Sequence, residues 1–385
     1  MRTLTILAFV LLAIAIPLAS LKYLSLPFVW CLLSWAGACI LLAVRFSGAR
    51  TRAVFVNLAA AVFALMFAEA YFVYLQKQSS DPVQLDQVHI TSPHPILGYV
   101  APSNTQRTAR KVNRKTGKII YEHAVTIGEN GLRATLPFNS LSKEAILFFG
   151  DSFAYGEGVG DDDTLPAQVA KLTKGSYRVY NFGLHGYGPQ HMLAAIENDL
   201  VNPIIQPTVR FVFYVTIKDH VRRLAGNASY LRYGPRYILS DEGEAVSAGW
   251  FNRPGSFWGA LGAGIKTQLM KSVLLMRVWF SRVDESDLRL YIAAVKKASK
   301  LIGEAYPSAE FRVLFWDIGK DKDEVSIVDR LRQEGIAVYA ITPAEFPGFL
   351  VDPDKYQIAG DGHPTAYMYH LVAQEVVRQF IEARK

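Results

Sequence analysis

The first 75 residues contain very few charged side chains, in a chain of 385 residues with a formal net charge of +7. The charged residues in this region are Arg2, Lys22, Arg45, Arg50, Arg52 and Glu69. The region contains three apolar stretches, Thr3–Ala19, Phe28–Val44 and Ala53–Leu75, and only the third includes a charged residue, Glu69. A helix needs about 20 apolar residues to cross a bilayer, with about 17 as the lower limit. Residues 1–76 are therefore predicted to form a membrane anchor with three transmembrane helices.

The distribution of lysine and arginine predicts how this anchor is oriented. The N-terminal end and the loop before the third stretch carry Arg2, Arg45, Arg50 and Arg52. The loop between the first and second stretches carries only Lys22, and Lys77 follows the third stretch. Because basic residues favour the cytoplasmic side, the chain after residue 75 is predicted to be extracytoplasmic. In a bacterium this would be a multi-pass protein of the inner membrane with a periplasmic domain. The first stretch alone also resembles a signal peptide, but no cleavage site is obvious.

Glu69 lies inside the third apolar stretch, six residues before its end. An ionisable side chain in a membrane helix is costly and marks a functional candidate. This position is close enough to the outer surface for the side chain to reach toward the headgroups or to pair with a neighbouring helix. We favour a structural role for Glu69.

Several kinds of site are excluded by composition. The two cysteines, Cys31 and Cys39, would lie roughly 12 Å apart on a helix, which is too far for a disulfide. Residues 77–385 contain no cysteine, so no thiolate zinc site or disulfide framework is available there. The histidines have no metal-ligand spacing, and no phosphate loop or dinucleotide motif occurs. We expect no metal and no cofactor.

The basic residues after the anchor are concentrated in Arg107–Lys118. This run is either a solvated hairpin or a surface that attracts anionic lipid or acidic polysaccharide. Nothing in the sequence indicates a nucleic-acid partner, and an extracytoplasmic domain argues against one.

The chain after the anchor changes character at about residue 141. Residues 77–140 are predicted to form a linker and a small β-rich appendage, with β-like runs at Lys118–Tyr121 and His123–Ile127. From there, predicted strands alternate with predicted helices, which indicates an α/β domain over 141–385 with a parallel sheet covered on both faces. The strands are Ala145–Phe149, Arg178–Phe182, Val209–Thr216, Phe311–Trp316 and Ile336–Ile341. The helices are Thr164–Leu172, Pro189–Leu200, Asp287–Ala305, Glu324–Glu334 and Pro364–Ala383.

Reactive groups in such sheets collect at the carboxyl ends of the strands. Ser152 follows the first strand directly, in the run Gly150–Gly156. A serine at a strand-to-helix turn can present its hydroxyl above the sheet, where the glycines permit tight geometry. The hydroxyl needs a base, because a free serine is a weak nucleophile near neutral pH.

Two further runs supply groups that could assist Ser152. Asn181–Gly188 follows the second strand, and its glycines would let a backbone N–H approach a developing oxyanion. Asp361 stands two residues before His363, ahead of the last helix. It can therefore bond to the imidazole Nδ1–H and leave Nε2 to face a serine hydroxyl.

The ordered set of these runs resembles the SGNH (GDSL-like) hydrolases, a family of esterases and acyl-transfer enzymes. Gly150–Phe153 resembles the first block of the family, Asn181–Gly186 the second, and Asp361–Pro364 the last. The resemblance covers residues 145–385 and implies a flavodoxin-like three-layer α/β/α fold. The three-helix anchor and the β-rich appendage are similar to membrane-anchored bacterial members.

The resemblance also implies roles for individual residues. Ser152 would be the nucleophile, His363 the base and Asp361 the residue that orients the base. The backbone N–H groups of Ser152 and Gly186 would build the oxyanion hole.

One block departs from the family pattern. The third strand ends in Thr216–His220, and alignment on Asp219 places Lys218 where the family has an asparagine that donates to the oxyanion hole. Loss of one such donor lowers the rate by about 10²–10³. We expect Lys218 or His220 to replace it. The alternative is an incomplete hole and a slow or inactive protein.

An insertion around 230–280 has no counterpart in the family, and it is rich in aromatic residues. It could be a lid over the site, a membrane-surface patch or additional core, and its aromatic content favours core. His185 and His191 flank the second block and could line the cleft, although a capping or solvent-facing role is favoured.

The implied activity is that of a membrane-anchored serine esterase, acyl hydrolase or O-acyltransferase. It would form an acyl-Ser152 intermediate and pass the acyl group to water or to a sugar hydroxyl. An O-acylated cell-envelope glycan and a lipid ester are both open as substrates. The alternative is a noncatalytic glycan-binding or assembly protein of the same fold, which the missing asparagine would favour.

Overall fold

The computed structural model describes residues 8–9, 11–15, 28–46, 48–79, 83–86, 90–135, 141–231, 233–252, 257–316 and 322–384. The chain divides into two compact units. The N-terminal unit comprises Met1–Asp81 and Phe257–Arg282, and the α/β unit comprises Pro82–Ser256 and Val283–Lys385.

The helices and strands are numbered in chain order. The α-helices are α1 Val29–Arg45, α2 Ala49–Ser79, α3 Ser152–Tyr155, α4 Leu165–Leu172, α5 Pro189–Glu197, α6 Asp219–Leu224, α7 Phe257–Leu269, α8 Val273–Leu275, α9 Glu285–Ala305, α10 Lys322–Gln333, α11 Gly348–Val351, α12 Pro353–Tyr356 and α13 Ala366–Val376. The strands are β1 Val83–Asp86, β2 Ser92–His94, β3 Gly98–Val100, β4 Thr105–Asn113, β5 Ile119–Ile127, β6 Glu144–Phe149, β7 Tyr177–Asn181, β8 Thr208–Thr216, β9 Pro235–Leu239, β10 Ala245–Trp250, β11 Glu310–Trp316 and β12 Val338–Ile341. Single π-helical turns occur at Leu11–Ala15, Met276–Phe280 and Val377–Ile381, and short 3₁₀ turns at Asp161–Asp163, Ser229–Leu231 and Glu382–Arg384.

The N-terminal unit contains one helix, among the described residues, that is long and apolar enough to cross a membrane. This helix is α2, and it contains the third predicted span. The second predicted span corresponds to α1, whose 17 residues stand at the lower limit for a span and rise about 26 Å, against a hydrocarbon layer of roughly 30 Å. The first, Thr3–Ala19, falls largely outside the described residues. The described structure therefore supports one span, and not the three that hydropathy predicted.

Glu69 on α2 is buried inside the N-terminal unit. Its carboxylate accepts hydrogen bonds from Ser272 Oγ at 2.7 Å and from the backbone N–H groups of Val273 and Leu274 at 2.8 and 2.9 Å. These are first-turn donors of α8, which have no acceptor within their own helix. The predicted structural role of Glu69 is confirmed by these contacts.

The α/β unit is built on a five-stranded sheet in the order β12-β11-β8-β6-β7, and all four strand pairs are parallel. Counted along the chain, this is the order 2-1-3-4-5 of flavodoxin-like sheets. The strands are apolar on both faces because both faces are covered. In β6, for example, Leu147 and Phe149 face one core cluster while Ile146 and Phe148 face the other.

Helices cover the two faces of this sheet and make three layers. Residues of α5, α9 and α10 pack in the first core cluster, and residues of α4 and α13 pack in the second. The predicted α/β class with a parallel sheet is thereby confirmed. The five predicted strands all occur, with ends that differ by no more than two residues.

Two predicted boundaries differ for identifiable reasons. The two β-like runs near residue 120 form one strand, β5, because its alternate residues Tyr121 and Val125 face the core across the polar residues between them. The last helix begins at Ala366 and not at Pro364. Thr365 caps it, while Pro364 pairs with Gln357 in an isolated β-bridge.

Smaller β-elements complete the α/β unit. Strands β1, β4 and β5 form an antiparallel sheet in the order β1-β4-β5, and β2–β3 and β9–β10 are antiparallel pairs. Tyr237 of β9 and Ala245, at the start of β10, are buried in the same core cluster as α5 and α9. The first part of the predicted insertion is therefore additional core, whereas Phe257–Arg282 belongs to the N-terminal unit.

Candidate active site

Ser152 lies at the carboxyl end of β6, where the chain turns sharply into α3. The turn depends on Gly150, whose φ of 151° disfavours other residues and whose added Cβ would lie 2.5 Å from the Val215 carbonyl oxygen. The Asp151 side chain then accepts from the Phe153 N–H at 3.0 Å and caps α3. Because β6 and β8 are the neighbours between which the strand order reverses, Ser152 stands at the topological switch point of the sheet.

His363 reaches Ser152 from the loop that precedes α13. Its Nε2 lies 2.8 Å from Ser152 Oγ, and its Nδ1 lies 2.6 Å from Asp361 Oδ2. The loop is tightened by Gly360 and Gly362, which have φ values of 78° and 94°. The structure thus brings together the three residues predicted as nucleophile, base and orienting carboxylate, in one hydrogen-bonded chain.

Asp361 is held on its second side by Lys111 of β4, whose ammonium group pairs with Asp361 Oδ1. The Asp361 side chain has no solvent exposure. Burial alone would raise the pKa of this carboxyl. The hydrogen bonds and charges of His363 and Lys111 outweigh burial and hold the pKa below its usual value. Asp361 is therefore ionised at neutral pH and can stabilise a protonated His363.

A second carboxylate, Glu157, approaches the same imidazole. Its Oε2 lies 3.7 Å from His363 Nε2 and 2.8 Å from His185 Nδ1, and its Oε1 accepts from the Tyr121 hydroxyl at 3.3 Å. Glu157 was not among the site residues predicted from the sequence. Its local signal is the Gly–Glu–Gly run that ends the single turn of α3, where the Glu157 N–H donates to the Ser152 carbonyl.

The pKa of His363 lies above the usual value for a histidine. Burial opposes the charged imidazolium, but the hydrogen bond to Asp361 and the negative charges of Glu157, Asp361 and Asp151 together outweigh it. The surroundings of His363 therefore make its imidazole a stronger base for the Ser152 proton.

The backbone N–H groups of Ser152 and Gly186 face no protein acceptor in the described part of the chain. Both residues line the same cavity. Gly186 has a φ of 74°, and an added Cβ would lie 2.9 Å from both Tyr230 Cε2 and the Tyr99 hydroxyl. Only glycine fits this position without displacing its neighbours. The two predicted oxyanion donors are thus free to receive a ligand oxygen.

Lys218 and His220, the predicted replacements for the missing asparagine, do not line this cavity. The Lys218 ammonium bonds to Asp323 of α10 at 2.8 Å. His220 is fully buried, with Nδ1 2.6 Å from the Tyr214 hydroxyl and Nε2 3.1 Å from Asp151 Oδ2. His220 is therefore part of the buried interior next to Asp151, whereas Lys218 forms a partly exposed ion pair.

Asp151 is the centre of a buried network beneath Ser152. It has no solvent exposure, and its Oδ2 accepts from Arg223 Nη1 at 2.7 Å. Burial alone would raise the pKa of Asp151, but His220, Arg223 and the Phe153 N–H outweigh burial and hold the pKa well below its usual value. The run Asp219–His220 thus anchors this network, since Asp219 also pairs with Arg223 at 2.9 Å.

The cavity above Ser152 has a volume of about 1190 Å³. Ser152, Glu157, His185 and Gly186 line its reactive end. Aromatic side chains line much of the remainder, namely Tyr99, Tyr230, Tyr233 and Trp250. The cavity therefore combines a polar reactive end with broad apolar ring faces.

Comparison with known proteins gives structural neighbours only. No protein-family model matches the chain, and no curated protein matches its sequence. The chain is similar to a lipolytic protein of the G-D-S-L family from Desulfitobacterium hafniense, with 13% identity, coverage of 61% of this chain and 98% of that chain, and a TM-score of 0.34. It is also similar to an acetylxylan esterase from Geobacillus stearothermophilus, with 15% identity, coverage of 62% and 95%, and a TM-score of 0.34. An acetyl xylan esterase from Butyrivibrio proteoclasticus is 11% identical, with coverage of 66% and 67% and a TM-score of 0.36.

Glu157, Asp361 and His363 each offer one potential metal ligand, and these atoms lie within 4.8 Å of one another. Both ring nitrogens of His363 already have hydrogen-bond partners, because Nδ1 pairs with Asp361 and Nε2 with Ser152. This arrangement fits acid–base chemistry.

The two histidines that flank the second block have different surroundings. His191 is buried, and its Nδ1 accepts the Gly188 N–H at 3.1 Å at the start of α5, which matches the capping role favoured for it. His185 lines the cavity and bonds to Glu157.

Proposed function

We propose that this chain is a serine hydrolase or acyltransferase that acts on ester bonds through an acyl-Ser152 intermediate. One observation carries the proposal. Ser152, His363 and Asp361 form a continuous hydrogen-bonded chain at the carboxyl end of β6, and Ser152 lines a large cavity. A serine so arranged is an activated nucleophile.

In the first step His363 Nε2 takes the proton from Ser152 Oγ as this oxygen attacks the ester carbonyl. The carbonyl oxygen becomes negative and accepts hydrogen bonds from the N–H groups of Ser152 and Gly186. Asp361 stabilises the imidazolium. His363 then gives its proton to the departing alcohol oxygen, which leaves the acyl group on Ser152.

In the second step a hydroxyl group, from water or from a sugar, attacks the acyl carbon while His363 Nε2 takes its proton. The bond between the acyl carbon and Ser152 Oγ then breaks, and His363 returns the proton to Ser152 Oγ, which releases the acid or the acylated sugar. The cavity volume of about 1190 Å³ slightly exceeds the range of roughly 300–1,000 Å³ for small-molecule sites. Its ring faces can pack against sugar rings, and its polar reactive end suits an ester on their rim. These features favour an O-acylated glycan as substrate over a small free ester.

We also propose that α2 anchors the chain in a membrane, with the α/β unit on the extracytoplasmic side. The length and hydropathy of α2 support the span. The arginines before and at the start of α2, Arg45, Arg50 and Arg52, support a cytoplasmic start for this helix.

A noncatalytic binding protein was favoured only by the missing asparagine. The intact relay and the two unpaired N–H donors favour an enzyme, since a binding protein needs neither. Full-chain protein in detergent, treated with a fluorophosphonate probe, tests this directly. We expect labelling that Ser152→Ala abolishes and that His363→Ala lowers by about 10²-fold or more.

His370→Ala is the matched control, because His370 bonds to Gln168 Oε1 at 2.9 Å and lies outside the cavity. It should label like the wild type. Absence of labelling in a wild-type chain that is folded by circular dichroism would contradict the enzyme proposal and favour the binding protein.

The labelling rate is expected to depend on pH through His363. Only neutral His363 can take the serine proton, so the rate should rise as pH increases through a pKa above the usual value for histidine. Glu157→Gln removes one negative charge beside His363 and should move this rise to lower pH. Lys111→Met removes the positive charge that pairs with Asp361 and should move the rise in labelling rate to higher pH.

The pH profile of the labelling rate constant measures both shifts. Glu242→Gln, in an exposed turn of the α/β unit, should leave the profile in place. If the two variants shifted the profile in the same direction, the assignment of their charges to His363 would be wrong.

The oxyanion donors give a separate prediction. Gly186→Ala should lower the turnover of p-nitrophenyl acetate by about 10²–10³-fold, because its Cβ would displace one donor. Lys218→Ala should stay within about threefold of the wild type, since its ammonium group binds Asp323. If Lys218→Ala kept its fold but lost much of its turnover, Lys218 would be the donor that replaces the missing asparagine.

A further inference from the structure

The segment Phe257–Arg282 belongs to the N-terminal unit and plays no part in the proposed reaction. It comprises α7, α8 and the π-helical turn Met276–Phe280. Its charged residues are all basic: Lys266, Lys271, Arg277 and Arg282. An acid-free segment with this many basic residues is complementary to an anionic surface.

Glu69 fixes the position of this segment along α2. It accepts hydrogen bonds from Ser272, Val273 and Leu274, at the start of α8. Glu69 lies six residues before the end of the apolar stretch at Leu75, which corresponds to about 9 Å along a helix. The start of α8 is therefore held about 9 Å below the level where the apolar surface of α2 ends.

The segment has an inner and an outer apolar face. Leu269 packs inside the unit against a cluster of α1 and α2 residues that includes Leu32 and Met66. Other apolar side chains of the segment are exposed: Leu261 by 46%, Ile265 by 53%, Val278 by 42% and Trp279 by 73%. The most apolar window of α2, in the same unit, is likewise only 11% buried, so both elements present apolar side chains outward.

Two of the basic residues of the segment are accessible from outside the unit. Lys271 and Arg277 are exposed, and the Arg277 guanidinium lies 5.6 Å from the centre of the Phe72 ring, near the outer end of α2. Helices that lie in a membrane interface combine apolar residues on one side with Lys and Arg on the other, and their apolar face enters by about 5–10 Å. The 9 Å depth set by Glu69 lies in that range.

We propose that Phe257–Arg282 lies in the outer interfacial layer of the membrane, beside α2, and binds anionic lipid headgroups. Ile265, Val278 and Trp279 enter the upper acyl-chain region, while the lysines and arginines contact the headgroups. This inference rests on the proposed anchoring of the chain by α2. It assigns the second part of the insertion to a lipid partner and not to a lid.

Depth measurements on the full chain test the proposal. The full chain, with Cys31→Ala and Cys39→Ala, is reconstituted in vesicles of zwitterionic and anionic phospholipid and labelled with a fluorophore at one introduced cysteine. The probe positions are Ile265→Cys and Val278→Cys in the segment, Leu65→Cys in α2 and Leu350→Cys in α11. Quenching is compared between a nitroxide near the lipid headgroup, a nitroxide near the end of the acyl chain, and a water-soluble quencher.

We expect the headgroup-level nitroxide to quench positions 265 and 278 about twofold or more beyond position 350, which should respond mainly to the soluble quencher. Position 65 should respond to the acyl-chain nitroxide. Removal of anionic lipid should reduce the lipid quenching at 265 and 278 and leave position 65 unchanged, because only the segment depends on headgroup charge.

Glu69→Ala gives a second test, since it removes the acceptor that holds the start of α8. Glu69→Ala should lower the quenching by lipid nitroxides at position 278 and leave the quenching at position 65 unchanged. If position 65 is quenched by lipid but 265 and 278 respond only to the soluble quencher, the interfacial assignment is wrong and the anchoring stands. If position 65 is not quenched by lipid, α2 does not span and the anchoring itself fails.

Discussion

Asp361→Asn is expected to lower kcat for ester hydrolysis by about 10⁴-fold, as removal of the orienting carboxylate does in serine hydrolases built on the same relay. An asparagine side chain has almost the same shape, but it carries no negative charge to stabilise the imidazolium. Its NH₂ group can also donate to Nδ1 and hold the imidazole in the wrong tautomer. The neighbouring Lys111 makes the loss more severe, because its positive charge then has no carboxylate partner at that site.

The measurement is the initial rate of p-nitrophenyl acetate hydrolysis, with thermal unfolding followed by circular dichroism to verify the fold. Asp352→Asn makes the same substitution on an exposed aspartate outside the cavity and should change kcat by less than about twofold. A fall of only a few fold in a folded Asp361→Asn protein would show that Glu157, 3.7 Å from Nε2, carries the charge that His363 needs.

Asp151→Ala is expected to destabilise the α/β unit by about 3–5 kcal/mol, because it leaves a buried guanidinium without its closest carboxylate. Arg223 Nη1 bonds to Asp151 at 2.7 Å, and His220 Nε2 lies 3.1 Å away. Asp219 still pairs with Arg223 from the outer side. It cannot replace Asp151, which also caps α3 beside Ser152.

Hydrogen exchange of the β6 and β8 amides, measured by mass spectrometry, reports the opening of the α/β unit alone. It does not require the N-terminal unit to unfold. Exchange in Asp151→Ala should accelerate by about 10²-fold to 4 × 10³-fold, the ratio that corresponds to that free energy at about 1.4 kcal/mol per factor of ten. Asp241→Ala, in an exposed turn of the α/β unit, should change exchange by less than about threefold. Unchanged protection in Asp151→Ala would mean that Arg223 finds a substitute partner.

Stability of the α/β unit is also expected to fall as the medium is acidified. His191 is buried among Arg223 and Tyr187, and burial is the main reason that its pKa falls to about 3. Because the unfolded chain binds a proton at about 6.5, the folded state loses stability as pH falls from 6.5 toward 3. His191→Gln should reduce this loss, as measured by hydrogen exchange at several pH values.

Much of the fold was predictable because it depends on short-range patterns. The five apolar runs from Ala145 to Ile341 each form a buried strand, since a parallel sheet covered on both faces needs apolar side chains in both directions. The contact of Asp361 with His363 was equally predictable, because two residues in one loop can reach each other locally.

Hydropathy was less reliable for the membrane region. It detects apolar runs, but it does not report where a helix begins and ends. The run at Phe28–Val44 forms a helix of 17 residues, whereas the run at Ala53–Leu75 is part of a helix of 31 residues that continues through polar residues at both ends. Helix length, and with it the capacity to span, is decided by these flanking residues.

By itself the sequence determined which apolar runs form the strands of the parallel sheet, the sharp turn at Gly150 and the local pair of Asp361 and His363. Only the tertiary structure decided which distant side chains meet them: Lys111 stands 250 positions from Asp361, and Glu69 203 positions from Ser272. Lys218 likewise binds Asp323 and not the site that its alignment indicated. The physical reason is that such contacts depend on how packed elements are aligned in space, while periodicity reports only which face of each element is buried.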